Sequence, residues 1–287
     1  MTRQRPIALA AVALATLAGC RDGSGGKLAL RYHPPQGALY HFALEQASTM
    51  NVAGGPMAQM GEQRMTLRMF FTQSVTGPTE GGVGVRVTFD STAMESPTMP
   101  SGVMNQALDQ MRGLVSTVVF DDRMRVVRAA FSGAPGMPRQ LAEQLGNNIR
   151  GMSFPLPEDP VGEGDSWIVE TALAMSQLPG GGQSLKARTK LTVKQIEIAG
   201  ADTIVLLGVA TQFQEDPITV TEQGQTATLR LSGGLTGEQR FSLTRGAPVQ
   251  MTIGGTMRLN VRGAQLGEAG MTMAMEQQTS MRLAGAN

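Results

Sequence analysis

From Pro34-Pro35 onward, apolar and polar residues alternate along most of the chain. Leu67, Met69 and Phe71 are interleaved with Thr66, Arg68 and Thr72. Val83, Val85, Val87 and Phe89 alternate with Gly84, Arg86, Thr88 and Asp90. Leu191 and Val193, then Ile196 and Ile198, continue the habit with one change of phase. Met257, Leu259 and Val261 follow it again, as do Met271, Met273 and Met275. A period of two sends successive side chains to opposite faces of a strand, so each run has one dry face and one wet face. Separated by Gly-rich turns, such runs predict a mainly β, mostly antiparallel protein with minor α content.

Two segments break the period. Over 101–111, Val103, Met104, Ala107, Leu108 and Met111 share one helical face, with Ser101 as N-cap and Gly113 beyond the end. Over 138–149, Leu141, Leu145 and Ile149 line up, with Pro138 at the first turn and Gly151 after the last. Two short helices in a β-rich chain are expected to cover a sheet's apolar face.

Features of the first half recur in order about 120 residues later, the signature of an internal repeat. Gly37-Ala38-Leu39-Tyr40 and Gly164-Asp165-Ser166-Trp167 each open a strand; Met65–Val75 matches Leu185–Ile196, and Val83–Phe89 matches Thr203–Val209. Gly113-Leu114 stands before Phe120 as Gly234-Leu235 stands before Phe241. Duplication and chance matching of Gly-rich strands both account for this. The expected domain runs over 28–285, with halves at about 28–153 and 164–285 and a Pro-rich joint over 154–163 whose three prolines forbid a helix or a central strand. The expected architecture is a curved sheet or half-barrel, with Leu67, Met69, Phe71, Val85, Val87, Met104, Met111, Leu191, Val193, Met257 and Leu259 lining an apolar groove.

Composition adds one unusual note. Aromatics make up 4% of the chain while methionine occurs 20 times. Methionine is unbranched and polarizable, so it fills irregular cores or lines surfaces that accept varied partners. Copper binding through thioethers calls for Met clustered with Cys or His, and the two histidines, His33 and His41, lie away from the Met-rich runs.

The amino terminus carries a separate signal. Arg3 and Arg5 precede an apolar run from Ile7 to Leu17, then Leu17-Ala18-Gly19-Cys20, the layout of a secretory leader. The run is too short to span a bilayer, which takes roughly 20 apolar residues. Leu-Ala-Gly-Cys resembles the lipobox of bacterial lipoproteins, a likeness confined to residues 1–20. It implies cleavage between Gly19 and Cys20 and acylation of Cys20, with palmitate among the chains attached. It also implies a membrane partner reached through the lipid. Residues 20–27 then act as lipidated cysteine and flexible tether. Arg21, where an Asp in such proteins favours the inner membrane, points to a periplasm-facing outer-membrane lipoprotein. Cys20 is the single cysteine, so no disulfide is expected. Net charge is +1, and losing Arg3 and Arg5 leaves the mature chain near neutral at −1, which gives nucleic acid no electrostatic footprint.

Chemistry-bearing motifs are scarce. No Gly-x-Ser-x-Gly elbow accompanies the histidines, and His41 reads as a half-exposed strand residue. Asp121-Asp122 reads as a hairpin turn, and Glu158-Asp159 as solvated acids in the joint. Gly233-Gly234 and Gly254-Gly255 read as turns or bulges with no helix behind them, so they form no phosphate loop. No catalytic residue, metal site or cofactor is expected.

Gly164-Asp165-Ser166-Trp167 after the Pro-rich stretch resembles the Gly-Asp-x-Trp segment of an uncharacterised family of exported bacterial β proteins, and Gly234–Phe241 is similar to a second segment of it. That resemblance implies no activity. It implies an open, curved sheet like the half-barrels of lipoprotein carriers and mycobacterial glycolipid-binding lipoproteins. The expected function is a lipid-anchored envelope protein holding a lipid or other apolar ligand in its concavity. The alternative is a structural or assembly partner of an envelope complex, with a filled core. An envelope hydrolase ranks third, with no residues to carry it.

Overall fold

The computed structural model describes residues 26–55, 58–59, 61–97, 112–132, 154–174, 184–214, 216–222, 225–263 and 270–286. The leader, Cys20, and both expected helices with Met104 and Met111 lie outside the described residues. No α-helix occurs among those that are described.

The first half supplies β1 (Leu39–Ala53), β2 (Gln63–Thr79), β3 (Gly82–Glu95), β4 (Val115–Phe120) and β5 (Val126–Ser132). The second supplies β6 (Ser166–Ala174), β7 (Ser184–Ala199), β8 (Asp202–Phe213), β9 (Ile218–Glu222), β10 (Gln225–Ser242), β11 (Ala247–Gly263) and β12 (Met271–Ala286). All twelve join one antiparallel sheet in the order β5-β4-β3-β2-β1-β12-β11-β10-β8-β7-β6, with β9 added on β10. β8 and β9 pair with successive stretches of β10, so together they form one strand path interrupted around Pro217. Each half is a meander, and the β1–β12 ladder joins them.

The ladder does not close. Instead both ends of the strand order are tied at one end of the molecule by two straps, residues 27–33 and 154–165. Leu28 and Val161 form an isolated bridge between the straps. The Tyr32 amide donates to the Asp122 carbonyl at 2.7 Å and the Leu156 amide to the Arg123 carbonyl at 2.8 Å, which fastens the straps to the β4–β5 turn. The Gly164 and Val193 amides bond to the Val193 and Asp165 carbonyls at 2.8 and 2.9 Å, fastening them to β7. The prolines that keep 154–160 out of the sheet thus leave a segment free to cross its end.

At this tied end the two halves share a core. Leu30, Tyr32, Leu156 and Val161 of the straps are buried with Val85 of β3 and with Leu191, Val193, Val205, Leu207 and Phe241 of the second half. Tyr32 and Phe120 rings meet at 5.1 Å. A second cluster, Tyr40, Phe42, Phe71 and Val75, covers the same end of β1 and β2. Burying side chains of this size contributes about 1.5–3 kcal/mol each, so the tied end is where stability concentrates.

Gly233-Gly234 and Gly254-Gly255 do not lie in turns. They sit mid-strand in β10 and β11, and those strands pair without a shift from Ala227 to Arg240. A Cβ on Gly255 would stand 2.1 Å from the Gly234 carbonyl oxygen, and one on Gly237 would stand 2.0 Å from that of Thr252. The missing side chains let the two strands curl tightly over each other, which bends the sheet.

Candidate functional site

Away from the tied end the sheet lines a half-open cavity of about 510 Å³. Its walls follow from strand register, because residues directly opposite in an antiparallel ladder point to the same face. One row across the sheet runs Thr189, Thr211, Leu235, Gly255, Gln277 and Ser48. The next row outward holds Ala187 beside Phe213, and Met257 beside Met275. Beyond it come Leu231, Leu259 and Met273. Inward, Met251, Ile253 and Leu44 complete the lining, and Phe154 of the strap faces the cavity from the core side. Met251 to Leu259 is a run of nine residues, eight steps or about 27 Å of strand.

The lining is apolar with a narrow polar band. Gln46, Thr171, Thr189, Thr211, Gln277 and Thr279 are its polar members, two amides and four hydroxyls. Among the described lining residues none is charged. Charges fall instead on the opposite parity. Arg230, Glu238 and Arg240 of β10, Arg258 and Arg262 of β11, and Glu276 and Arg282 of β12 all alternate with cavity-facing positions. Cross-strand ion pairs tile that convex face: Arg68 with Glu45 and Glu95 at 3.1 and 2.8 Å, Lys194 with Glu238 at 2.9 Å, Arg188 with Glu170 at 3.3 Å.

Thr189 and Thr211 are the band's buried members, and their hydroxyl oxygens lie 2.8 Å apart. A hydroxyl pair owns two O–H hydrogens and one bond between them uses one, so the pair keeps a donor and lone pairs for a third group.

Of the groove residues expected from sequence, Met257 and Leu259 line the cavity. Leu67 is half-buried opposite Gln46, beside the lining. Met69 and Phe71 belong to the aromatic cluster on β1 and β2, and Val87 packs against both clusters. Val85, Leu191 and Val193 are buried in the shared core at the tied end, Leu191 at the next same-face position after Thr189. The threonines and glutamines carried a sequence signal. They occupy the apolar phase of alternating runs, as Thr189 does between Ala187 and Leu191.

The remaining chemistry-bearing residues are structural. His41 is half-buried with Nδ1 2.9 Å from the Thr72 hydroxyl. Asp121 caps the β4–β5 turn by accepting the Arg123 and Arg125 amides at 3.0 and 2.8 Å. Glu158 pairs with Arg123 at 3.1 Å. Asp165 accepts the Gly162 amide at 3.0 Å and meets Lys27 at 2.9 Å; that backbone bond first, then Lys27, holds its carboxyl below the usual range. Among the described residues no group of His, Cys, Asp and Glu is placed to hold a metal ion.

No protein-family model matches the chain, and no curated protein matches it. Among solved structures, a lipovitellin studied for its lipid–protein interactions aligns with 89% of this chain at TM-score 0.50 and 10% identity. The match spans 26% of the lipovitellin chain, so this protein has the fold of about a quarter of it. An outer membrane channel from Pseudomonas putida aligns with 91% of the chain, but at TM-score 0.19 and 10% identity it carries no argument. The same holds for a protein of an uncharacterised-function family from Desulfovibrio piger, which covers 84% at TM-score 0.16 and 11% identity.

Proposed function

We propose that this protein binds a lipid or similar apolar ligand in the concavity of its sheet, while acylated Cys20 anchors it in the cell envelope. One observation carries the reading: a curved sheet lines a half-open space of about 510 Å³ with mostly apolar side chains and, among the described lining residues, no charge. That volume lies within the roughly 300–1,000 Å³ typical of pockets for single small ligands. Four methionines, Met251, Met257, Met273 and Met275, line it, and their flexible thioethers adapt to chains of varied shape. The lipovitellin likeness supports the fold, and that protein's lipid interactions lend the ligand class. The leader and Arg21 support a periplasm-facing outer-membrane location. Native mass spectrometry of the full chain, purified gently from membranes, is the test. Discrete lipid-sized adducts are expected. A ligand-free protein that takes up nothing from membrane extract overturns the reading.

A second reading, an assembly partner in an envelope complex, draws on the two strands that end the sheet order. Among the described residues β5 and β6 each pair on one side only, and an unpaired ladder edge can accept another strand. Recurrent crosslinking of one protein through these strands, with no extractable lipid, favours this reading over the first.

A further inference from the structure

The geometry points to an uncharged, hydrogen-bonding amphiphile as the occupant: a single-chain alcohol or ester whose polar group meets Thr189 and Thr211 and whose chain lies along Met257, Met275, Leu259 and Met273. This rests on the binding role proposed above and narrows it to a ligand class.

Two independent observations lead there. First, the cavity carries no charged side chain among the described residues that line it, while every charge of β10, β11 and β12 alternates onto the other face. A carboxylate, phosphate or ammonium group placed inside would be stripped of water with no counter-charge, which costs several kcal/mol. Second, the cavity is not purely hydrocarbon. Thr189 and Thr211, buried and paired at 2.8 Å, place two hydroxyls on the wall between the dry core and the methionine-lined stretch. Their unspent O–H suits a carbonyl or hydroxyl oxygen, and their lone pairs suit a donor. Gln277 stands in the same cross-sheet row, and Gln46 and Thr279 in the row beside it. A hydrocarbon would leave this band without partners; an ion would find none of opposite sign. A neutral polar group on an apolar chain satisfies both. Polar band and apolar stretch follow one another along the strands, so the head faces the tied end and the chain runs outward.

The test uses the full chain and pyrene, a fluorescent hydrocarbon that makes no hydrogen bond, as the bound reporter. Dodecan-1-ol and dodecanoate, equal in chain length, are titrated as competitors at pH 8, where the acid is ionised. The alcohol is expected to displace pyrene at least about a hundredfold more effectively than the carboxylate, given the cost of burying an unpaired charge. At pH 4, where the acid is neutral, the gap should shrink to within about tenfold. In T189V/T211V, which preserves shape, pyrene should bind as in the wild type while dodecan-1-ol weakens about tenfold, the equivalent of one hydrogen bond. Wild-type pyrene binding also shows that the variant is folded. Equal competition by alcohol and carboxylate at pH 8 overturns the uncharged-ligand inference and leaves the cavity reading standing. An unchanged alcohol affinity in T189V/T211V overturns the assignment of the head-group site. If pyrene, alcohol and carboxylate all fail to bind, both readings fall together.

Discussion

Gly237→Ala isolates what bends the sheet. Gly237 is extended, so alanine is conformationally acceptable there, and the change acts through space alone. The added Cβ would lie 2.0 Å from the Thr252 carbonyl oxygen and 2.7 Å from the Ile253 Cα. Both obstacles are backbone, so no side chain can swing aside. β10 and β11 must separate by more than an ångström. Overpacking by one carbon costs about 1–3 kcal/mol, and weakening two neighbouring ladder bonds adds about 0.5–1.5 kcal/mol each. The expected loss is therefore about 3 kcal/mol, a large part of the 5–15 kcal/mol that holds a typical domain folded. Gly200→Ala is the matched control. Its φ is +64° and a Cβ there meets nothing within 4 Å, so only left-handed strain of about 1–2 kcal/mol applies. Urea unfolding followed by Trp167 fluorescence measures both. If Gly237→Ala costs no more than Gly200→Ala, close approach of β10 to β11 does not set the curvature.

Three other outcomes follow from individual residues. Trp167 is half-buried, and its indole N–H donates to the Pro155 carbonyl at 2.9 Å; Trp167→Phe should cost about 1 kcal/mol in the same unfolding assay, with the emission of Tyr32 and Tyr40 as reporter. Asp202 is partly desolvated, which raises its pKa, but bonds from Ser242 at 2.6 Å and the Thr244 amide at 3.1 Å, with Arg245 at 2.7 Å, outweigh that and hold it below the usual value. Its stabilisation is present above the ordinary aspartate value of about 3.9 and disappears as pH falls through the lower folded value, so Asp202→Asn should flatten the acid limb of a stability–pH curve measured by urea unfolding. Cys20→Ser should abolish incorporation of a fatty-acid analogue in metabolic labelling, because serine forms no thioether; equal labelling of the two proteins contradicts the lipobox reading.

The strands were legible in the sequence because one face of each is dry. Met65–Val75, Val83–Phe89, Leu185–Ile196 and Thr203–Val209 all fall inside observed strands. Turn chemistry was legible for a local reason too: Gly164 takes a φ of +87°, and Asp121 bonds amides two and four residues ahead. Alternation says which face a residue joins, but not how far along the curved sheet it lies. Leu191 and Met257 share a face, yet the straps cover one and leave the other beside open space. The straps themselves carry no periodicity, since they bond to carbonyls far away in sequence, so their closure of the tied end was invisible. The central glycines misled for a similar reason. Gly-Gly marks turns locally, and only the neighbouring strand explains why Gly255 must lack a side chain.

The central claim is that a ligand enters the concavity and lies along its methionines. Methyl-¹³C methionine labelling of the full chain, observed by NMR during titration with dodecan-1-ol, tests it most directly. The account predicts saturable shifts for Met251, Met257, Met273 and Met275, which line the cavity, and none for Met124, which packs on the core at the tied end. Cavity methyls that stay fixed while the alcohol binds, or shifts spread evenly over all the methionines, would contradict it.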